Sequence, residues 1–160
     1  MSRSDNPKLI RQETQQYGKG VFATEDIEKD EVIAFWDGPV YEAENNSDLP
    51  NDPPLLVADH AIQFDQHKWR DSEGLARYIN HSCVPNCGIR GLFTIVAMRK
   101  IDKGEEITWD YEMTENSDWQ MNCQCGSTHC RKIIRAYRFL PPEIKSTYRY
   151  YTSDWLKQIR

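Results

Sequence analysis

Two stretches of the chain carry the same pattern of apolar and polar positions. Val21, Phe22 and Ala23 are followed by Ile27, Lys29, Glu31 and Ile33, and Ile95, Val96 and Ala97 by Ile101, Lys103, Glu105 and Ile107. Every matched position is offset by the same 74 residues. Each copy predicts a β-strand, a charged turn and a second strand. Two copies are too few for a solenoid, so the pattern predicts two similar units within one β-rich domain. Residues 44–54, ENNSDLPNDPP, form a polar, proline-rich loop. Leu55 to Asp65 then regains strand-like text, with Ile62 and Phe64 alternating against Gln63 and Asp65. Gly74 to Tyr78 predicts a short helical turn, and Gly91 to Met98 a buried strand. Pro141-Pro142 suits a helix start. Beyond it Ile144, Tyr148, Tyr151 and Trp155 are spaced as one apolar face of a terminal helix, and this aromatic stripe reads as core packing.

A chain of 160 residues suits one domain. Hydrophobic content of 39% is low, yet eight Tyr, five Trp and five Phe bring large buried areas to a small core. Apolar runs are as short as Val32 to Trp36, so no membrane span is expected, and the opening MSRSDNPKLI has no apolar signal region. A cytoplasmic protein is the expectation. The net charge of −5 is a poor match to a phosphate backbone and argues against direct nucleic-acid binding. It suits a basic polypeptide partner, because opposite charge speeds encounter.

The five cysteines are an odd number without a secretory signal, which argues against a disulfide framework. Cys123, Cys125 and Cys130 place three thiols within eight residues, and structural zinc wants four ligands. His129 adjoins Cys130, and neighbouring side chains seldom reach one tetrahedral ion. The fourth ligand must then come from a distance, with Cys83 and Cys87 both available. Tyr17-Gly18-Lys19-Gly20 precedes a strand, and its glycines allow close backbone approach to a ligand. That spacing matches neither a dinucleotide fingerprint nor a triphosphate loop. His81 beside Asn80 reads, in isolation, as a hydrogen-bonded core histidine. No hydrolase-type pair of nucleophile and base is present in the text.

Three strings together change this picture. RYINHSCVPNC (77–87), GEEITWDY (104–111) and CQCGSTHC (123–130) resemble, in this order, the SET-domain protein-lysine methyltransferases with their post-SET zinc clip. The resemblance covers residues 8–134. It implies a mainly β (β-rich α+β) fold of several short curved sheets with a knot-like crossing, a zinc clip and a C-terminal helix. The implied divisions are a SET domain over 8–112, a post-SET segment over 113–134 and a C-terminal aromatic helix over 135–160 packed on the same domain. The implied activity is methyl transfer from S-adenosylmethionine to a lysine ε-amine of a protein or peptide, such as a histone or other basic tail. A non-catalytic SET-like module that binds a peptide or partner is the rival reading, and a structural zinc protein a third.

The resemblance also implies residue roles. Lys19 and Gly20, with Gly18, would hold the cofactor's methionine end, and Asn80 would bind its amino or carboxylate group. His81 would meet the adenine mainly through its backbone, with Arg77 and Tyr78 supporting that wall and Ile133 lying over the adenine. Cys83 would complete the zinc site with Cys123, Cys125 and Cys130, leaving Cys87 as a small buried apolar residue. Tyr111 would be the catalytic tyrosine, and Trp36 and Trp109 would line the lysine channel. The family usually carries Phe or Tyr at the position of Trp109, and many relatives carry an acid where this chain has Phe35. The chemistry asks for a neutral amine. A free lysine has a pKa of about 10.4, so neutrality near pH 7 costs about 4 to 5 kcal/mol. An apolar channel raises the cost of the ammonium form, so an aromatic tunnel matters more than a strong base. Glu105 and Glu106 read as a solvated charged turn.

Overall fold

A computed structural model describes residues 4–14 and 18–159; Tyr17 lies outside the described residues. The strands are β1 (Leu9–Thr14), β2 (Gly18–Ala23), β3 (Val32–Phe35), β4 (Val40–Glu42), β5 (Ile62–Asp65) and β6 (Lys68–Arg70). They continue as β7 (Asn80–His81), β8 (Cys87–Arg90), β9 (Thr94–Ala97), β10 (Thr108–Trp109), β11 (Met121–Asn122) and β12 (Ile133–Ile134). The helices are short: α1 (Val57–His60), α2 (Pro142–Thr147) and α3 (Asp154–Lys157). The strands form a β1-β2 hairpin, a three-stranded sheet β4-β6-β5, a five-stranded sheet β3-β9-β8-β10-β7 and a small β11-β12 pair. The fold is mainly β, as the strand-turn text predicts.

The internal repeat is explained by how its two copies meet. Ile27 and Ile101 exchange both backbone hydrogen bonds, each of 2.8 Å. On one side Ala23 N donates to Glu105 O at 3.0 Å, and on the other Ala97 N donates to Glu31 O at the same distance. Likewise Gly104 N reaches Ala23 O, and Asp30 N reaches Ala97 O, both at 2.8 Å. Each bond is the other's image under the 74-residue offset. The copies therefore clasp one another antiparallel about a local pseudo-two-fold axis. Asp30 and Gly104 occupy the same left-handed turn position, with φ of 70° and 92°.

The repeated acid has a job that the turn text did not reveal. Glu31 accepts the Glu28 N–H at 2.9 Å and pairs with Lys8, while Glu105 accepts the Asp102 N–H at 2.6 Å and pairs with Arg99. Both carboxylates close their own turn by capping a backbone donor three residues upstream, as an acid at a turn can. Glu106 accepts from Asn80 Nδ2 at 2.9 Å. The expectation that Glu105 and Glu106 are merely solvated is thus corrected. Ile27, Ile33, Ile101 and Ile107, the repeated apolar positions, are fully buried in the main core.

β10 is the topological centre. It pairs in parallel with β7, placing Thr108 opposite Asn80 and Trp109 opposite His81, and it also pairs with β8 at Cys87. Strands β7 and β8 are joined only by residues 82–86, so the chain threads β10 between two strands of one connected loop. Asn86 pins the crossing: its amide donates to Glu106 O at 2.8 Å and accepts from Thr108 N at 2.9 Å. Residues 75–78 form the expected helical turn, of 3₁₀ type. The stretch ahead of β5 is helical at α1 rather than extended.

The C-terminal segment departs from the single helix that its periodicity predicts. It forms α2 and α3 with a break between them. The break has a tertiary cause. Tyr151 O accepts from Ile89 N at 2.8 Å, Ser153 N donates to Met113 O at 2.9 Å and Asp154 N donates to Gly91 O at 3.0 Å, so the backbone leaves the helix to bond the sheet. Gly88 permits this approach, since a Cβ there would sit 2.4 Å from Tyr151 Cβ. The aromatic stripe is core even so: Tyr148 is buried, and its hydroxyl donates to Asp110 Oδ2 at 3.0 Å. Asp110 is itself fully buried and takes a 2.7 Å ion pair from Arg131.

Leaving Asp110 buried without its cation should be costly, because an unpaired interior charge keeps its desolvation penalty. Replacing Arg131 with Met is expected to lower stability by about 3 to 5 kcal/mol. Replacing Arg90, whose partner Asp30 is exposed, is expected to cost less than about 1 kcal/mol. Urea denaturation of both variants at fixed metal loading checks the contrast.

Candidate active site

Tyr111 is separated from β10 by Asp110 alone and begins a short turn. Asp110 opens that turn by accepting the Glu112 N–H at 3.0 Å. The backbone N–H of Tyr111 donates to His81 Nδ1 at 3.1 Å, and its hydroxyl donates to Ile79 O at 3.1 Å. The backbone and the hydroxyl of Tyr111 are thus both anchored to the β7 side. Because His81 Nδ1 accepts, Nε2 carries the proton, 3.4 Å from Cys83 Sγ. Burial holds the imidazole neutral, pulling its pKa down to about 4 against the opposing charge of Asp110. An aromatic row surrounds the phenol. Trp109 stands 5.0 Å from Tyr111 centroid to centroid, His81 5.2 Å and Trp119 6.3 Å, and Trp36 meets Trp109 edge-on at 6.0 Å.

Two cavities meet at this row. A broad cleft of about 580 Å³ is lined by Lys19, Tyr78, Asn80, Trp119, Gln120 and Met121 among others. A narrow channel of about 40 Å³ runs past Trp36, Ile79, Trp109, Thr114 and Glu115. Tyr111, Trp119, Arg77, Asp59 and His60 belong to both. The indole nitrogens of Trp36 and Trp109 are buried without a partner among the described residues.

The wall of the cleft is built by close backbone approach. Asn80 Nδ2 donates to Lys19 O and to Glu106 Oε1, each at 2.9 Å, which leaves Oδ1 as the amide's free acceptor face. Gly18 has φ of +79°, and Gly20 has no room for a side chain: a Cβ would lie 2.6 Å from Glu106 Oε1 and 3.2 Å from Asn80 Nδ2. Gly20 is therefore required by its packing against Asn80 and Glu106, and Gly18 by its positive φ. Arg77 lines both cavities and pairs with Asp71 at 3.4 Å.

Four cysteines converge beside the cleft. The sulfurs of Cys83, Cys123, Cys125 and Cys130 all lie within 4.8 Å of one another. A tetrahedral zinc with Zn–S near 2.3 Å needs sulfur–sulfur edges of about 3.8 Å, and Cys83 and Cys123 are 3.7 Å apart. Three backbone N–H groups aim at these sulfurs: Arg131 at Cys83, Cys125 at Cys123 and Lys132 at Cys130, at 3.3 to 3.4 Å. Such donors suit thiolates. Cys87 lies apart, fully buried in β8 within the main core. The donor set fits zinc.

The structure thus brings together Lys19, Arg77, Tyr78, Asn80 and Tyr111 on one cleft, with Gly18 and Gly20 in the strand behind it and His81 beneath Tyr111. Trp36 and Trp109 stand on the adjoining channel. Ile133 is not among the residues that line the cleft: it is paired with Asn122 and 46% exposed. Met121 on the partner strand supplies the apolar contact there. Sequence reasoning missed Trp119, His60, Met121 and Glu115. Their neighbours carry no motif, and only the zinc-held return of the chain places Trp119 and Met121 near Asn80.

Comparison with known proteins agrees with this geometry. A family model described as "SET domain" matches residues 18–112. "Histone-lysine N-methyltransferase trr" of Drosophila melanogaster is 34% identical over 140 residues, spanning 80% of this chain but 6% of that protein. "Histone-lysine N-methyltransferase, H3 lysine-4 specific" of Schizosaccharomyces pombe is 33% identical over 130 residues, spanning 72% of this chain and 14% of that protein. The chain thus spans a small part of these relatives. Among solved structures, KRYPTONITE in complex with mCHG DNA and SAH superposes with a TM-score of 0.62 at 23% identity, over 79% of this chain and 28% of that one. That likeness concerns the fold. With more than half of its residues matched by the family model and its strings 77–87 and 104–111 meeting around Tyr111, the chain belongs to the SET domain family.

Proposed function

We propose that this protein is a lysine methyltransferase that uses S-adenosylmethionine and acts on a protein or peptide substrate. The observation that carries the reading is the meeting of a broad cleft and a narrow aromatic channel at one fixed tyrosine hydroxyl. S-adenosylmethionine, when bound, supplies a methyl group on a cationic sulfur.

The chain's own residues do the rest. Gly18, Lys19 and Gly20 bring backbone to the cleft, and the free Oδ1 of Asn80 suits a cofactor ammonium. Arg77, Tyr78 and His81 form the adjoining wall, and the 113–134 segment lays Trp119 and Met121 across it. Tyr111 offers oxygen lone pairs at the junction, which orient a lysine amine and favour positive charge developing near it. Trp36 and Trp109 exclude water from the channel, which favours the neutral amine. Zinc held by Cys83, Cys123, Cys125 and Cys130 is structural, since all four positions are filled by protein sulfur. It fastens the 113–134 segment to residues 82–86.

The preferred substrate is a basic tail of the histone kind. The chain's charge of −5 supports this, as do the names of relatives that act on histone lysines. The large indole of Trp109 narrows the channel where the family usually has a smaller ring, which favours few methyl additions. No helix among the described residues is long and apolar enough to cross a membrane.

Replacing Tyr111 with Phe should lower methyl transfer to mixed basic proteins by about 100-fold or more, with cofactor affinity by calorimetry nearly unchanged. Turnover close to wild type would remove Tyr111 from the chemistry. Elemental analysis of protein purified without chelator should find about one zinc per chain. Cys83→Ser should lose the metal and melt at a lower temperature, whereas Cys87→Ala should keep it.

A further inference from the structure

One buried acid stands on the aromatic channel. Glu115 is only 5% exposed, and it lines the channel together with Trp36, Trp109 and Tyr111. Its Oε1 accepts from the backbone N–H of Ser117 at 3.2 Å and from the Ser117 hydroxyl. Both of these donors are neutral. Among the described residues no cationic side chain lies within ion-pair distance of Glu115.

The other charged groups on the channel are differently placed. Asp59 is exposed, His60 has its pKa lowered by burial, and Arg77 is engaged with Asp71. Burial likewise pushes the Glu115 carboxyl up from its usual range. A carboxylate taken out of water without a cation carries an uncompensated desolvation cost. The site is therefore charge-deficient in one respect: it would gain by admitting a cation of side-chain width. A lysine arrives as an ammonium, which loses its own water in the same narrow space.

We propose that Glu115 is the counter-ion that draws the substrate lysine's ammonium into the channel, making it a substrate-binding and selectivity residue. The inference rests on the reading of this channel as the lysine's path. Its role lies in capture. A carboxylate that favours the ammonium does not help form the neutral amine, so its loss raises KM for the peptide and leaves kcat unchanged or higher. The positive charge on lysine is thereby recognised before the aromatic walls take up the alkyl stem.

The test compares two peptides on two proteins. The peptides are an H3(1–15) sequence, with the lysine it methylates retained and the others changed to arginine, and the same peptide with norleucine at that position. Norleucine keeps the alkyl stem and removes the charge. Binding is measured by calorimetry with cofactor product present, and the lysine peptide is also assayed for turnover. Methylation by the wild-type protein establishes the underlying reading; if neither methylation nor binding occurs there, the histone-tail part of that reading fails, and the same comparison is made on a peptide that the protein does methylate. Glu115→Gln keeps the acceptor oxygen for Ser117 and removes only the charge. It is expected to lower the ratio of lysine to norleucine affinity by about tenfold or more, to raise KM similarly and to leave the melting temperature and kcat near wild type. A merely structural role would weaken both peptides equally. An unchanged ratio overturns the proposal. Should Glu115→Gln not fold, Glu115→Asp, which retains charge but draws it back, is expected to reduce the ratio at least threefold, and an unchanged ratio there overturns the proposal as well.

Discussion

Everything in this molecule depends on a two-residue strand held between two others. β10 pairs in parallel with β7 and with β8, and so few ladder bonds could not hold it alone. What fixes it is the packing and polar satisfaction around it. Asn86 bonds the entry of the crossing through Glu106 O and Thr108 N, and Asp110 at its exit is buried against Arg131 and Tyr148. A buried carboxylate with one cation and one phenol has few alternative arrangements, so it specifies the crossing while contributing modestly to net stability. Tyr111 inherits its position from this strand, and its two hydrogen bonds to the β7 side, through His81 and Ile79, complete the placement.

The four-cysteine cluster extends the same logic to a segment with little core of its own. Its small apolar cluster consists of Ile134 and the cysteines, with Tyr111 and Trp119 against them. A structural zinc in such a setting is worth on the order of 10 kcal/mol apparent, more than that cluster could supply. The segment it orders contributes Trp119, Gln120 and Met121 to the cleft. Metal, crossing strand and cleft are therefore one mechanical unit, joined at Cys83 on one side and at the Asp110–Arg131 pair on the other.

Much of this was legible in the text. The 74-residue echo gave two strand-turn units, and the structure shows why it exists: each copy is the other's hydrogen-bonding partner. The three motif strings identified the family and the residues around Tyr111. Other features were hidden because they depend on contacts between distant residues. Spacing alone left Cys83 and Cys87 equivalent; the convergence of Cys83 with the other three thiols, and the place of Cys87 in β8, separate them. The terminal helix was broken by backbone bonds to β8 and to the stretch after it, which no periodicity reports. Glu105 looked like a solvated charge because its acceptor role needs the turn to close on itself. Trp119 and Glu115 sit in unremarkable text, and their place on the cleft and channel comes from the return of the chain.

The central claim is that a lysine side chain and a methyl-bearing cofactor meet at Tyr111 from opposite cavities. The most direct measurement is tandem mass spectrometry of a basic peptide after incubation with cofactor carrying an isotopically labelled methyl group. The account predicts the label on a lysine ε-nitrogen. Cofactor bound by the zinc-loaded protein with no label on any lysine, across a broad array of basic peptides, would contradict it.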